Sequence, residues 1–450
     1  MKPLARNLAP VLGVVALACG WLWLQWPQIA LQPGDEPLYI LDGQRLLDGA
    51  ALYRDVFLAH PPLRAWQTAA VLAMGAPLGW AKVFSPLATL TAALLTWHFL
   101  RRAADDRTAL LAAALLLCAN VVLQHGAQFV GVEQALSAAV LATVLALAHR
   151  WLLAGLCLGL ASQWALHVGL LALPMLFWAW QDRALRPFVL GLTLGLLPLA
   201  FELVWFGAPM RDQVLVYHVR KVSQMAVTRT PARIWPFVLA HLPLLLLALV
   251  GVWRGPVLAR RLGFAGLAAL GLLLLWPRLQ TYYFLLPIPW LAMAAALTWH
   301  GLPAVWLRRA LLLGLALAAV PSARDALDRR ARGLLVQPEM TRLAAQVQTL
   351  AAGSPIWGDG ALVPLLALRT GLPVALGDTD LNAQRFLSGA TAPDAHLTAV
   401  LAQKPLIVLV PRHGIDQVPA FHERLLRDCD VVGQFDAPAA NFAGLLLRPR

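Results

Sequence analysis

The sequence predicts a polytopic α-helical membrane protein of about eleven transmembrane helices, followed by a soluble C-terminal α/β domain. Three observations carry this. Hydrophobic residues make up 60% of the 450-residue chain against 13% charged, at a mean hydropathy of +0.67, which is too apolar for a soluble globule. Long apolar runs recur with arginines standing singly or in pairs between them. After Ser322 the composition turns soluble, and helix-like stretches alternate with short strand-like ones. The net charge of +13 does not point to nucleic acid, because the basic residues form no stripe and sort to one side of a membrane.

Residues Asn7 to Ala30 hold no Asp, Glu, Lys or Arg. As a helix they cross a hydrocarbon core of ~30 Å at ~1.5 Å per residue, and Trp21, Trp23 and Trp26 mark the interface. No small-residue cleavage pattern follows, so the segment reads as an uncleaved first span. With Lys2 and Arg6 inside, residues 32–79 form a first outer loop. Later spans then meet the inner face at Arg101-Arg102, Arg107, His149-Arg150, Arg183, Arg186, Arg254, Arg260-Arg261 and Arg308-Arg309. Trp151 to Trp180 is too long for one span and has a polar centre at Ser162-Gln163, so it divides in two. A second outer loop runs from Gly207 to Arg233, a short outer turn from Pro277 to Thr281, and everything after Pro321 lies outside. The domains are thus 1–321 in the membrane and 322–450 beyond it.

Two helices are expected in the first outer loop. Pro37 to Gly49 has Pro at its start, Gly at its close and leucines at near-helical spacing. Pro62 to Leu78 reads as a helix lying in the interface with Arg64 and Gln67 wet; making it a full span would throw Arg101-Arg102 to the outer face. In the tail, Pro338 to Ala352 is a helix, Pro355 to Trp357 a short strand, Asp394 to Gln403 a helix capped by Asp394, and Leu406 to Val410 a buried strand. Trp357-Gly358-Asp359-Gly360 lacks the full glycine fingerprint of a nucleotide-binding turn. Cys19, Cys118 and Cys157 lie in apolar segments and Cys429 has no neighbour in sequence, so neither a disulfide nor a zinc site is expected.

The most informative stretch is Gly34-Asp35-Glu36-Pro37-Leu38-Tyr39 at the outer end of the first span. With Leu46-Leu47-Asp48-Gly49, Tyr53-Arg54-Asp55 and His60-Pro61-Pro62-Leu63 it resembles, in order and spacing, the first outer loop of the GT-C superfamily of bacterial membrane glycosyltransferases. That group includes protein O-mannosyltransferases and the aminoarabinose and core-sugar transferases of lipid A and lipopolysaccharide. Weaker collinear matches are Glu133 at the start of span four, Leu156 to Trp164, and Arg278 to Pro287 with Tyr282 and Tyr283. Two positions depart from the pattern. His60 stands where the family usually has Lys before the Pro-Pro pair, and Gln163-Trp164 replaces another frequent Lys.

The resemblance implies transfer of a sugar from a polyprenyl-phosphate carrier to an envelope acceptor (lipid A or lipopolysaccharide, protein or polysaccharide) on the outer side of a bacterial inner membrane. Such a donor already has a good leaving group, so the chemistry asks for one base and for cations. Asp35 suits the base, accepting the acceptor hydroxyl proton while C1 is attacked from the face opposite phosphate, which inverts the anomeric centre. Its bland alternative is a helix N-cap ahead of Pro37. Glu36 would orient the acceptor or hold a cation; plain exposure is the alternative. Glu133 is the second acid, because a carboxylate entering a span is costly unless it faces a polar cavity. Arg54, His60, Arg64 and Arg278 fall on outer-side segments, where they could bind the donor phosphate; salt bridges to Asp55 or Asp42, or contact with lipid headgroups, are the alternatives. Tyr53, Tyr282 and Tyr283 are the substrate-side aromatics, Tyr282 and Tyr283 otherwise serving as interfacial belt residues, and His167 reads as a packing residue. No protein-held metal or cofactor motif is present, which leaves a requirement for a divalent ion open. A transporter or flippase of lipid-linked saccharide is the competing reading; it calls for internal repeats and interrupted polar spans, whereas the acids here gather in one outer loop.

Overall fold

The structure, a computed structural model, describes residues 2–224, 230–275, 280–302 and 305–450. It is that of a polytopic α-helical membrane protein with a C-terminal α/β region. Two compact units make it up. One comprises Met1–Trp26, Val83–Ala200 and Val227–Asp328, the other Pro27–Lys82, Phe201–Ala226 and Arg329–Arg450.

In the first unit, six helical segments among the described residues, some of which run on beyond it, are long and apolar enough to cross a membrane: Leu8–Ile29, Leu78–Ala103, Leu185–Trp205, Ile234–Arg254, Val257–Leu274 and Thr281–Gly301. Three shorter apolar helices, Val132–Leu147, Trp151–Ala161 and Leu166–Gln181, join them. The chain breaks at Ser162 to Ala165, at the polar centre read from the sequence. The expected third span is two helices, Asp106–Leu117 and Asn120–His125. Ile288–Gly301 is buried on every side, as a helix apolar all round must be. Its alanines let neighbouring helices approach, and Trp290 Nε1 donates to Thr143 Oγ1 at 2.7 Å. Where Trp151–Ala161 crosses Leu185–Trp205, a Cβ on Gly155 or Gly159 would strike the backbone at Phe188 to Gly195, and one on Gly191 or Gly195 the backbone at Leu152 to Leu160. Small residues permit that contact, the usual device between helices in lipid.

The second unit gathers the first outer loop, the 201–226 segment and the tail. Its sheet has the order β1-β2-β4-β3, with β1 (Ile356–Gly358), β2 (Leu406–Leu409), β3 (Cys429–Ala437) and β4 (Phe442–Pro449). The β1 and β2 strands are parallel, with Trp357 opposite Ile407, and the rest of the sheet is antiparallel. The expected strands are present; the hairpin of β3 and β4 is an addition.

Three expectations need correction. The helices Glu36–Leu47 and Leu63–Ala73 do not lie bare on a surface: Glu36, Pro37, Tyr39, Ile40, Leu41, Asp42 and Gly43 are buried, and the first helix packs against both the second and Val363–Thr370. Gly43 is required there, because a Cβ would strike Thr68. Arg64 is not wet but 1% exposed. Asp394 is not a cap: helix Pro393–Ala402 is capped at Ala392, with Pro393 in its first turn and Asp394 inside it. Apart from these corrections, residues 305–351 form one unbroken helix, Val305–Ala351.

Candidate active site

Asp35 sits on a turn that is tied down on all sides. Gly34 takes φ +137°, a conformation glycine adopts without strain, and its N–H donates to the Ala361 carbonyl at 3.0 Å. Gln337 Nε2 donates to Leu31 O at 2.9 Å. Lys82, 1% exposed, donates to the carbonyls of Gln28 and Ala30 and pairs with Glu36 at 2.5 Å. Ala361 is itself anchored, its N–H donating to Asp359 Oδ1 at 3.0 Å while Asp359 Oδ2 meets His413 Nδ1 at 2.6 Å. The Trp357-Gly358-Asp359-Gly360 turn is therefore part of this support.

Asp35 occupies the N-cap position of Glu36–Leu47, yet its backbone is helical (φ −74°, ψ −22°) and its side chain makes no capping hydrogen bond. A capping side chain works from an extended backbone, so this carboxyl is left for other chemistry. It remains exposed but crowded by protein, and loss of hydration raises its pKa, with Lys221 and then Arg64 pulling the other way. The result is a carboxylate of enhanced basicity with two cations near it.

Arg64 is the second notable group. Its guanidinium lies 3.8 Å from the centre of the Tyr39 ring, and Nε, Nη1 and Nη2 are buried without a hydrogen-bond partner among the described residues. Buried guanidinium donors that find few protein partners are costly, and this one, beyond its contact with the Tyr39 side chain, is placed to receive an anion. Tyr39 Oη and His60 Nε2 are 3.1 Å apart, and Tyr53 Oη donates to His60 O at 2.8 Å. His218 Nε2 donates to Ala59 O at 2.8 Å, and burial lowers its pKa, keeping the imidazole neutral. Gln213 completes the frame, donating to Tyr53 O at 2.7 Å and accepting from Leu58 N at 2.8 Å. Arg54 is exposed and grips Asp55 through two bonds of 2.9 Å. Glu36 is held by Lys82, its side chain 9% exposed. Arg278 lies outside the described residues.

Two buried carboxyls complete this unit's cluster. Burial pushes Asp42 up to about 8, Thr379 and Arg64 opposing and Asp380 adding. Burial pushes Asp380 up to about 6, opposed first by the Asn382 N–H, which donates to Asp380 Oδ1 at 2.9 Å. The linkage has a definite sign. A carboxyl whose folded pKa exceeds its ordinary 3.8 favours the fold when protonated, and that contribution is lost as pH rises toward about 8. Asp42→Asn is therefore expected to melt higher than wild type at pH 8 and to flatten the fall in Tm between pH 5 and 8. Thermal melts of the purified protein across that range check it; an unchanged slope would mean that Asp42 ionises freely in the fold.

Glu133, Tyr282 and Tyr283 belong to the other unit. Glu133 is fully buried at the start of Val132–Leu147, where Oε2 accepts from Gly131 N at 3.1 Å. That helix packs against the Thr281–Leu285 turn. Tyr282 meets His125 with ring centres 6.2 Å apart, and Tyr283 meets His167 at 4.0 Å.

Sequence reasoning missed Lys82, Lys221, Asp380 and His218. A usable signal existed for two of them: the chain has 36 Lys and Arg, of which only Lys2, Lys82, Lys221 and Lys404 are lysine. Among the described residues no three His, Cys, Asp or Glu side chains gather as a metal-binding group.

No family model and no curated protein sequence matches the chain. Solved structures do, two of them of one protein. ArnT from Cupriavidus metallidurans in the apo state matches at a TM-score of 0.68 and 12% identity over 98% of both chains. The same protein bound to undecaprenyl phosphate matches at 0.65 and 12% over 97% of both. The likeness runs from end to end and is one of fold: the chain has the fold of ArnT, as its GT-C-like first outer loop implies.

Proposed function

We propose that this protein is a membrane glycosyltransferase that moves a sugar from a polyprenyl-phosphate donor to an envelope acceptor on the outer side of a bacterial plasma membrane. The observation that carries the reading is Asp35: a carboxyl at a helix N-cap that does no capping, its pKa raised by burial, in the electrostatic field of Lys221 and the buried Arg64. The fold of a protein whose solved complex holds undecaprenyl phosphate supports it.

In this reading Asp35 takes the proton of the acceptor hydroxyl, the oxygen attacks C1, and the C1–O bond to phosphate breaks with both electrons leaving on polyprenyl phosphate. Attack opposite the leaving group inverts C1. Arg64, with Lys221 and His60 near the same turn, carries the phosphate charge as it grows. Glu36 acts by holding Lys82, so it positions Asp35 and does not touch substrate. Arg54, Arg278, Tyr53, Tyr282 and Tyr283 remain proposed contacts to donor or acceptor, and Glu133 the proposed second acid.

The test is release of polyprenyl phosphate and transfer of sugar by the purified protein given synthetic polyprenyl-phosphate sugars. Turnover with any carrier supports the enzyme. No transfer and no donor hydrolysis, together with translocation of the lipid in reconstituted vesicles, would replace it with a flippase.

A further inference from the structure

A cavity of about 700 Å³ opens in the unit that holds Asp35, within the ~300–1,000 Å³ range of small-ligand pockets. Three parts of the chain wall it. The first outer loop supplies Arg45, Arg54, Asp55 and Phe57; the 209–220 segment supplies Asp212, Tyr217 and Arg220; the tail supplies Asp378, Arg385 and His396. The tail is thus a wall of the pocket and not a detached appendage.

The aspartates of this wall are paired, two with wall cations and Asp212 with Arg211 beside the wall. Arg54 pairs with Asp55 at 2.9 Å, Arg385 with Asp378 at 2.8 Å, His396 with the other oxygen of Asp378 at 2.8 Å, and Asp212 with Arg211 at 3.2 Å. Four arginines against three aspartates leave the lining near neutral, so a polyanion would meet three carboxylates on entry. Side-by-side carboxylate and guanidinium groups instead offer acceptors and donors at the spacing of neighbouring hydroxyls. Arg45, whose Nε is buried without a hydrogen-bond partner among the described residues, has donors to give. Tyr217, set edge-on to Phe57 with ring centres 5.4 Å apart, adds an aromatic surface, and Arg385 lies 4.6 Å from the centre of the Phe57 ring.

The pocket shares its elements with the Asp35 cluster. Helix Tyr217–Gln224 places Tyr217 and Arg220 in the pocket wall and Lys221 in the field of Asp35. The tail segment places Asp378 in the wall and Asp380 in that same field.

We propose that this cavity is the acceptor subsite and that it takes a hydroxyl-rich saccharide bearing at most one negative charge. The assignment rests on the transferase reading for the word acceptor, but the binding it asserts can be measured without turnover. The full-length protein in nanodiscs, free of maltoside detergent, is titrated with glucose, galactose, N-acetylglucosamine and maltotriose, with inorganic phosphate in parallel, using saturation-transfer-difference NMR. At least one saccharide should bind, and Arg45→Ala with Asp212→Ala should weaken it at least tenfold while the melting temperature stays put. No saccharide binding, binding untouched by the double variant, or phosphate binding in place of sugar would each overturn the proposal. Saccharide binding without any transfer from polyprenyl-phosphate donors would sink the transferase reading and leave the pocket standing; transfer to a lipid or protein with no saccharide bound would do the reverse.

Discussion

Asp35→Asn is expected to leave a folded, membrane-inserted protein whose sugar transfer falls by at least ~10²-fold, the usual scale of general-base catalysis. The substitution keeps size and hydrogen-bonding capacity and removes proton affinity. Stability should hold, because the wild-type side chain makes no capping bond and its carboxyl is raised in pKa by its surroundings, so a neutral amide relieves a desolvated charge. Donor affinity should hold as well, since the proposed phosphate cations stay in place. Polyprenyl-phosphate release under saturating donor reads the loss, and a thermal melt reads the fold. Activity within threefold of wild type would return Asp35 to the status of a turn residue.

Lys82→Met is expected to produce the largest loss of stability of any single change at this site, on the order of 3–5 kcal/mol, as when one partner of a buried ion pair is removed. Glu36, its side chain 9% exposed, would be left as a buried charge, and the carbonyls of Gln28 and Ala30 would lose their shared donor. Lys82→Met combined with Glu36→Leu should recover part of the loss, because the buried carboxylate goes too. Melting temperatures of the single and double variants decide. A Lys82→Met protein that melts with wild type would show that the turn is held without this pair.

How far the sequence could be read depended on the range of the contacts involved. The break at Ser162-Gln163 and the helix after Pro37 follow from local signals, and they are where the chain predicts them. Arg64 was misjudged because an amphipathic pattern shows which face is apolar but not what covers the other; helix Glu36–Leu47 packs on it here, with the Tyr39 ring against the guanidinium. The β3 and β4 hairpin escaped notice because a register shift between Val431 and Gly433 breaks the two-residue alternation that marks a strand. Asp394 lost the cap to Ala392 because Pro393 already takes the first helical position. At the site itself, Asp35 was legible from local sequence, whereas Lys82, Lys221 and Asp380 reach it from distant segments that no spacing rule connects.

The fastening of the Asp35 turn also sets an order of events during synthesis. Leu31 is held by Gln337, 306 residues further along, and Gly34 by Ala361, later still. The first outer loop leaves the ribosome long before the residues that fix its shape. A nascent chain carries the carboxyl without its geometry, so this turn takes its shape only once Gln337 and Ala361 have folded back onto it.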